Sequence, residues 1–298
     1  MAGQAQGSKS KGPQPEKTPE PKVGIALGAG GAKGIAHIPM LEALDELGVK
    51  PRHITGSSIG AVIGSLYASG MSAKEIKDKI AQIAITRSDT FQGVFSDKKI
   101  SRWMAMIDPD FHHSGLIKSE TILAELCDHQ PGKAFEDLPI PLSLVATDFW
   151  KRTAVILESG PLRPAVQASM ALPGLFTPVE LDGRVLIDGG TVNPVPYDLL
   201  SDSCDIVIAV DINSSKSAEP ATMPGYFDTL FGSIQIMQAA IMERELRAHP
   251  PDIYIQPELH GIRTLQFHRA DEVYRQSQPA KEELKRRLEE KVAEWRAG

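Results

Sequence analysis

The chain has 298 residues, 42% of them hydrophobic and 23% charged, enough apolar material for a large buried core, so wholesale disorder is excluded. With 38 acids against 32 bases the net charge is −6, which argues against nonspecific binding to a nucleic-acid backbone. Two cysteines, Cys127 and Cys204, cannot build a disulfide scaffold, and no Cys/His spacing suggests a zinc site; both read as buried, reduced thiols.

Residues 1–22 hold no Val, Ile, Leu, Phe, Trp or Tyr and are rich in Pro, Lys, Gly, Ser and Gln. Such a segment reads as a disordered tail, and it lacks the apolar stretch of a secretory signal peptide. Residues 23–298 are expected to form one domain. The apolar run Val23 to Leu27 reads as a strand and is followed by the glycine-rich stretch Gly28 to Gly34. A helical pattern through Leu41, Leu44 and Leu47 stops at Gly48. A short buried strand around Ile54 and Thr55 runs into Gly56-Ser57-Ser58-Ile59-Gly60, then into a small-residue helix ended by Gly70. Ser72 and Glu75 form a capping box opening another helix. From Ile54 to Ala73 no residue is charged, the length of a bilayer span, but four glycines and five serines disfavour insertion. A strand, a turn and a core helix explain the stretch better than a transmembrane helix.

Residues 86–118 mix Phe91, Phe95, Trp103 and Phe111 with Lys98, Lys99 and Arg102. The segment reads either as an insertion packed on the core or as a lid resting on a lipid surface. Ser119 to Cys127 reads as helix, and Leu142 to Thr147 as a strand with Ala154 to Leu157 its hairpin neighbour. The turn signal Asp182-Gly183 feeds the strand Val185 to Ile187 and then Asp188-Gly189-Gly190. Ile206 to Val210 is a continuous apolar strand of the fully buried kind. Residues 226–298 form a C-terminal helical part, with helices near 226–248 and 280–296 around the short strand Ile253 to Ile255. Strands alternating with helices predict an α/β class, a three-layer α/β/α arrangement around a central, mainly parallel sheet.

Three motifs carry chemistry. Gly-x-Ser-x-Gly between a strand and a helix is the nucleophile-elbow pattern, and it makes Ser58 the candidate nucleophile. The competing reading is a glycine turn with a solvated serine. Gly28 to Gly34 lacks the Gly-Lys-Ser/Thr ending of a phosphate-binding loop, and Lys33 stands where a dinucleotide fingerprint wants its third glycine. It reads either as a nest of backbone N–H groups for an oxyanion, with Gly30 and Gly31 at its centre and Lys33 adding positive potential, or as a turn kept for packing. Asp188 ends an apolar strand before two glycines; withdrawn from water, its carboxylate gains proton affinity and suits a general base. Taken alone it reads as an ordinary Asp-Gly turn. None of the eight histidines sits in a recognisable catalytic setting; His249 and His260 look like loop residues.

Together, Gly28-AGGAKG-Gly34, Gly56-SSI-Gly60, Asp188-Gly189-Gly190 and the run Ala168-SMALPGLF-Thr177 resemble the patatin-like phospholipase family, over roughly Val23 to Asp211. The resemblance implies a modified α/β-hydrolase-like sheet and a serine–aspartate dyad without histidine. Ser58 would be the nucleophile and Asp188 the base, with Gly30 and Gly31, joined by Ala32 or Ile59, as oxyanion donors. It implies a phospholipase A or esterase type of lipid acyl hydrolase, acting on phospholipid or other fatty-acyl esters through an acyl-serine, with no metal or organic cofactor. Alternatives are a conventional Ser-His-Asp esterase and a catalytically weak module that binds a partner. Ala29 and Pro39 depart from common family residues; Pro39 removes a backbone donor within the first helix and is expected to kink it near its start.

Without residues 1–22, which hold four lysines and two glutamates, 28 bases face 36 acids, or −8. That acidity disfavours broad attraction to an anionic bilayer, so peripheral membrane contact is expected to be local and largely apolar, near the site entrance. A cytoplasmic or membrane-peripheral location is expected, with no nucleic-acid partner.

Overall fold

The computed structural model describes residues 20–81, 134–213 and 223–298. The segment 86–118, read as an insertion or a lid, the helix from Ser119 to Cys127 and most of the tail lie outside the described residues. Among the described residues eight strands form one sheet: β1 (Val23–Leu27), β2 (His53–Ser57), β3 (Leu142–Asp148), β4 (Thr153–Leu157), β5 (Val179–Leu181), β6 (Arg184–Asp188), β7 (Ile206–Val210) and β8 (Ile253–Ile255). The pairs β3–β2, β2–β1, β1–β7 and β7–β8 are parallel, while β4 and β6 run antiparallel to β3, and β5 to β6.

The helices are α1 (His37–Leu47), α2 (Ile59–Ala68), α3 (73–81), α4 (Leu162–Ser169), α5 (Tyr226–Ala248), α6 (Ala270–Gln276) and α7 (Gln278–Ala297). Alternate residues of the central strands serve opposite layers, as the period of two demands. Ile25 and Leu27 of β1, with Ile208 and Val210 of β7, pack with residues of α1, α2 and α7. Ala26, Val207 and Ala209 face Val195, Tyr197, Leu200 and Met242 of α5. The result is the expected three-layer α/β fold around a mostly parallel sheet.

Local signals explain the boundaries. Gly48 takes a left-handed φ of 65° and ends α1, and Ser72 and Glu75 exchange backbone and side-chain bonds at the start of α3. A 3₁₀ turn over Gly31–Ala36 precedes α1, so Pro39 falls in the first α-helical turn, where a missing N–H costs nothing. The elements without a sequence signal are short: eight-residue α4, three-residue β5 and seven-residue α6. Cys204 is free and half-buried; Cys127 lies outside the described residues.

Candidate active site

The register of β3 brings the two motif residues together. Its residues 142–145 pair with β2 and residues 146–148 with β6, whereas β4 pairs with residues 144–148. A strand has two edges, so β2 and β6 must share one edge of β3, end to end. Ser57 pairs with Val145, and Asp188 pairs with Ala146, the next residue. The carboxyl ends of β2 and β6 therefore abut. Gly189 permits this closeness, since a Cβ there would lie 2.0 Å from the Val145 carbonyl oxygen and 2.7 Å from Ser57 Oγ.

Ser58 sits at the point where β2 turns into α2, with φ 56° and ψ −121°, a conformation L-residues rarely adopt. Its hydroxyl donates to Asp188 Oδ2 at 2.5 Å. Ser58 is half-buried at the amino end of α2, while Asp188 is buried. Burial pushes the Asp188 carboxyl up to about 6, against the pull of the Ser58 hydroxyl and of the Gly190 N–H, which donates to Oδ1 at 2.8 Å. Thr147 Oγ1 donates to the Asp188 carbonyl oxygen at 2.8 Å, and the Asp188 N–H donates to the Ala171 carbonyl at 3.0 Å, so its backbone is tied on both sides. A hydroxyl bonded to an acceptor of this affinity can pass its proton to that carboxylate as it attacks an electrophile.

The glycine loop lies against the pair. A Cβ at Gly190 would meet Ala29 Cβ at 2.7 Å, and a Cβ at Gly60 would strike the Leu27 and Gly28 carbonyls. The Ala29 N–H donates to Pro194 O at 2.9 Å, and the Ala32 N–H to Thr264 O at 2.8 Å. Ala32 is thus committed to the C-terminal segment and drops out as an oxyanion donor. Between them the N–H groups of Gly30 and Gly31 have no hydrogen-bond partner among the described residues. Lys33 points inward rather than to solvent: it is 5% exposed, and burial lowers its pKa against the opposing charge of buried Asp211.

Several supporting residues carry no motif. Ser169 Oγ accepts the Ser58 N–H at 3.1 Å and donates to Val145 O at 2.6 Å. Ser169 lies inside the Ala168–Thr177 run, but nothing in its spacing marks this role. His37 is fully buried and bonds through Nε2 to the Gly28 carbonyl at 2.8 Å, so Nε2 carries the proton; burial lowers its pKa to about 4 and keeps the ring neutral. Gln238 of α5 donates to the Gly190 carbonyl at 3.1 Å and accepts from Asn213 Nδ2. Among the described residues no histidine bonds to Ser58 or Asp188, and His249, His260 and His268 are exposed.

The family model described as patatin-like phospholipase matches residues 25–201, which contain Ser58, Asp188, Gly30 and Gly31. An uncharacterized NTE family protein of Mycobacterium tuberculosis (strain ATCC 25618 / H37Rv) is 37% identical over 198 residues, 66% of this chain and 51% of that protein. Patatin-like phospholipase domain-containing protein 6 of Homo sapiens is 31% identical over 213 residues, 70% of this chain and 14% of that protein. The chain therefore spans about half the length of the mycobacterial relative and far less of the human one. The crystal structure of VipD from Legionella pneumophila gives a TM-score of 0.48 at 16% identity, covering 90% of this chain and 67% of that one. On the extent of the family match, more than half of its residues, the chain belongs to the patatin-like phospholipase family.

Proposed function

We propose that the protein is a serine lipid acyl hydrolase of phospholipase A or esterase type, in which Ser58 and Asp188 form the catalytic dyad. Family membership supports a lipid hydrolase; the hydrogen bond from Ser58 Oγ to Asp188 Oδ2 carries the assignment of roles. Asp188, ionised above about pH 6, accepts the Ser58 proton as Oγ bonds to the carbonyl carbon of a fatty-acyl ester. The carbonyl oxygen becomes an oxyanion held by the N–H groups of Gly30 and Gly31, with Ile59 at the start of α2 as a further donor. The ester C–O bond then breaks, the leaving alcohol or lysophospholipid takes the proton from Asp188, and an acyl-serine remains. Water gives a proton to Asp188, attacks the acyl carbon and releases the fatty acid, and the proton returns to Ser58 Oγ.

Fluorophosphonate labelling of the wild type and of Ser58→Ala tests the assignment. Labelling that is stoichiometric in the wild type and lost in the variant is expected, together with release of fatty acid from a phospholipid or a short-chain ester. Label retained by Ser58→Ala overturns the nucleophile assignment.

A further inference from the structure

The carboxyl end of the sheet holds exposed side chains that the dyad does not use. β3 runs parallel to β2 and continues past it: Phe149 lies four residues beyond Val145, the partner of Ser57, roughly 13 Å further along the strand. The turn from β3 to β4 is firmly held. Buried Asp148 accepts the N–H groups of Trp150 (3.1 Å) and Lys151 (2.9 Å) at Oδ1, its carbonyl accepts that of Arg152 (2.8 Å), and Phe149 N–H donates to Val185 O (2.9 Å). Yet Phe149 is 47% and Trp150 75% exposed, their rings edge to face at 4.9 Å. Lys151 and Arg152 are exposed beside them, and Arg184, opening the antiparallel β6, stands at the same end. Among the described residues none of these three bases has an ion-pair partner.

Resting on the reading of the site as a lipid acyl hydrolase, we infer that this end of the molecule is a docking rim for an anionic lipid surface. Phe149 and Trp150 enter the interface, where amphipathic rings settle, and Lys151, Arg152 and Arg184 take lipid phosphates. In a chain of net charge −6 these unpaired bases also orient the molecule, turning Ser58 toward the bilayer and the acidic remainder away.

Flotation of the full chain with phosphatidylcholine vesicles, with and without phosphatidylglycerol, tests the rim. Ser58→Ala serves as parent, so that turnover does not alter the vesicles. The parent is expected to bind phosphatidylglycerol vesicles, and Phe149→Ser with Trp150→Ser to bind them at least about tenfold more weakly. Lys151→Gln with Arg184→Gln should remove the preference for anionic over neutral vesicles. Matching thermal midpoints establish that the variants fold; if the aromatic pair lowers the midpoint, Trp150→Gln alone replaces it, with a loss of threefold or more. Equal binding by parent and rim variants, or no vesicle binding by the parent, overturns the proposal. Neither result touches the dyad, whose fluorophosphonate test needs no membrane, and label retained by Ser58→Ala would leave vesicle binding standing.

Discussion

The backbone N–H of Ser58 donates to Ser169 Oγ at 3.1 Å, across 111 positions of chain. Ser169 is fully buried at the end of α4, and its own hydroxyl proton goes to Val145 O, on β3, the strand against which both β2 and β6 pair. One hydroxyl therefore ties the strained serine turn to the strand that sets its distance from Asp188. Ser169→Ala leaves a buried donor and a buried acceptor unmet, which should cost about 1–3 kcal/mol in urea unfolding. Fluorophosphonate labelling of Ser58 should slow by about tenfold as the turn loosens. A variant with both unchanged would show that Ser169 does not brace the turn.

Asp188 sets activity and stability against each other. The carboxylate is the competent form, so hydrolysis should rise as pH passes about 6 and level off above it. Stability runs the opposite way. The folded-state value is raised from an ordinary 3.8, so between 3.8 and about 6 the folded chain binds more protons than the unfolded one and loses stability as pH rises. The penalty is complete above that window and amounts to roughly 3 kcal/mol. Asp188→Asn should cut hydrolysis about 10²–10⁴-fold and raise the unfolding free energy at pH 8. Denaturant unfolding at pH 4 and pH 8 checks the sign: no gain at pH 8 would contradict the buried, ionised carboxylate.

Gly60 is required by the approach of α2 to β1. A Cβ there would lie 2.0 Å from the Leu27 carbonyl oxygen and 2.9 Å from that of Gly28, both backbone atoms with no room to move. Gly60→Ala should cost about 3 kcal/mol or more and abolish labelling of Ser58. Gly48→Ala is the control, because its Cβ would meet nothing and only the left-handed φ of 65° is strained, at about 1–2 kcal/mol. Thermal unfolding of the two should separate them clearly; similar losses would count against the close-approach argument.

Much of the frame was legible because it is local. Val23–Leu27 and Ile206–Val210 are buried on both faces, so unbroken apolar runs announce them. Ser58 and Asp188 stood out because tight backbone approach demands glycines beside them, and glycine pairs are visible in sequence. Ser169 and Gln238 were silent because each works by bonding a backbone group that the topology delivers from far away, and a polar residue on a buried helix face breaks no pattern. Ala32 was misread for the same reason. The family resemblance offered its N–H as a donor beside Gly31, but Thr264, from outside the family match, already accepts it.

Gln238 offers a sharper test of that long-range contribution. Its side chain holds the Gly190 carbonyl on one side and Asn213 on the other, while the Gly190 N–H helps restrain the Asp188 pKa. Gln238→Leu keeps the volume but strands a buried carbonyl and the Asn213 amide, so a loss of about 1–3 kcal/mol is expected. If Gly190 then drifts, its N–H stabilises the carboxylate less and desolvation acts with less opposition. The midpoint of the pH–rate profile should therefore move upward from about 6, with kcat reduced at pH 6.5 more than at pH 8.5. A merely structural role would lower stability and leave that midpoint where it was.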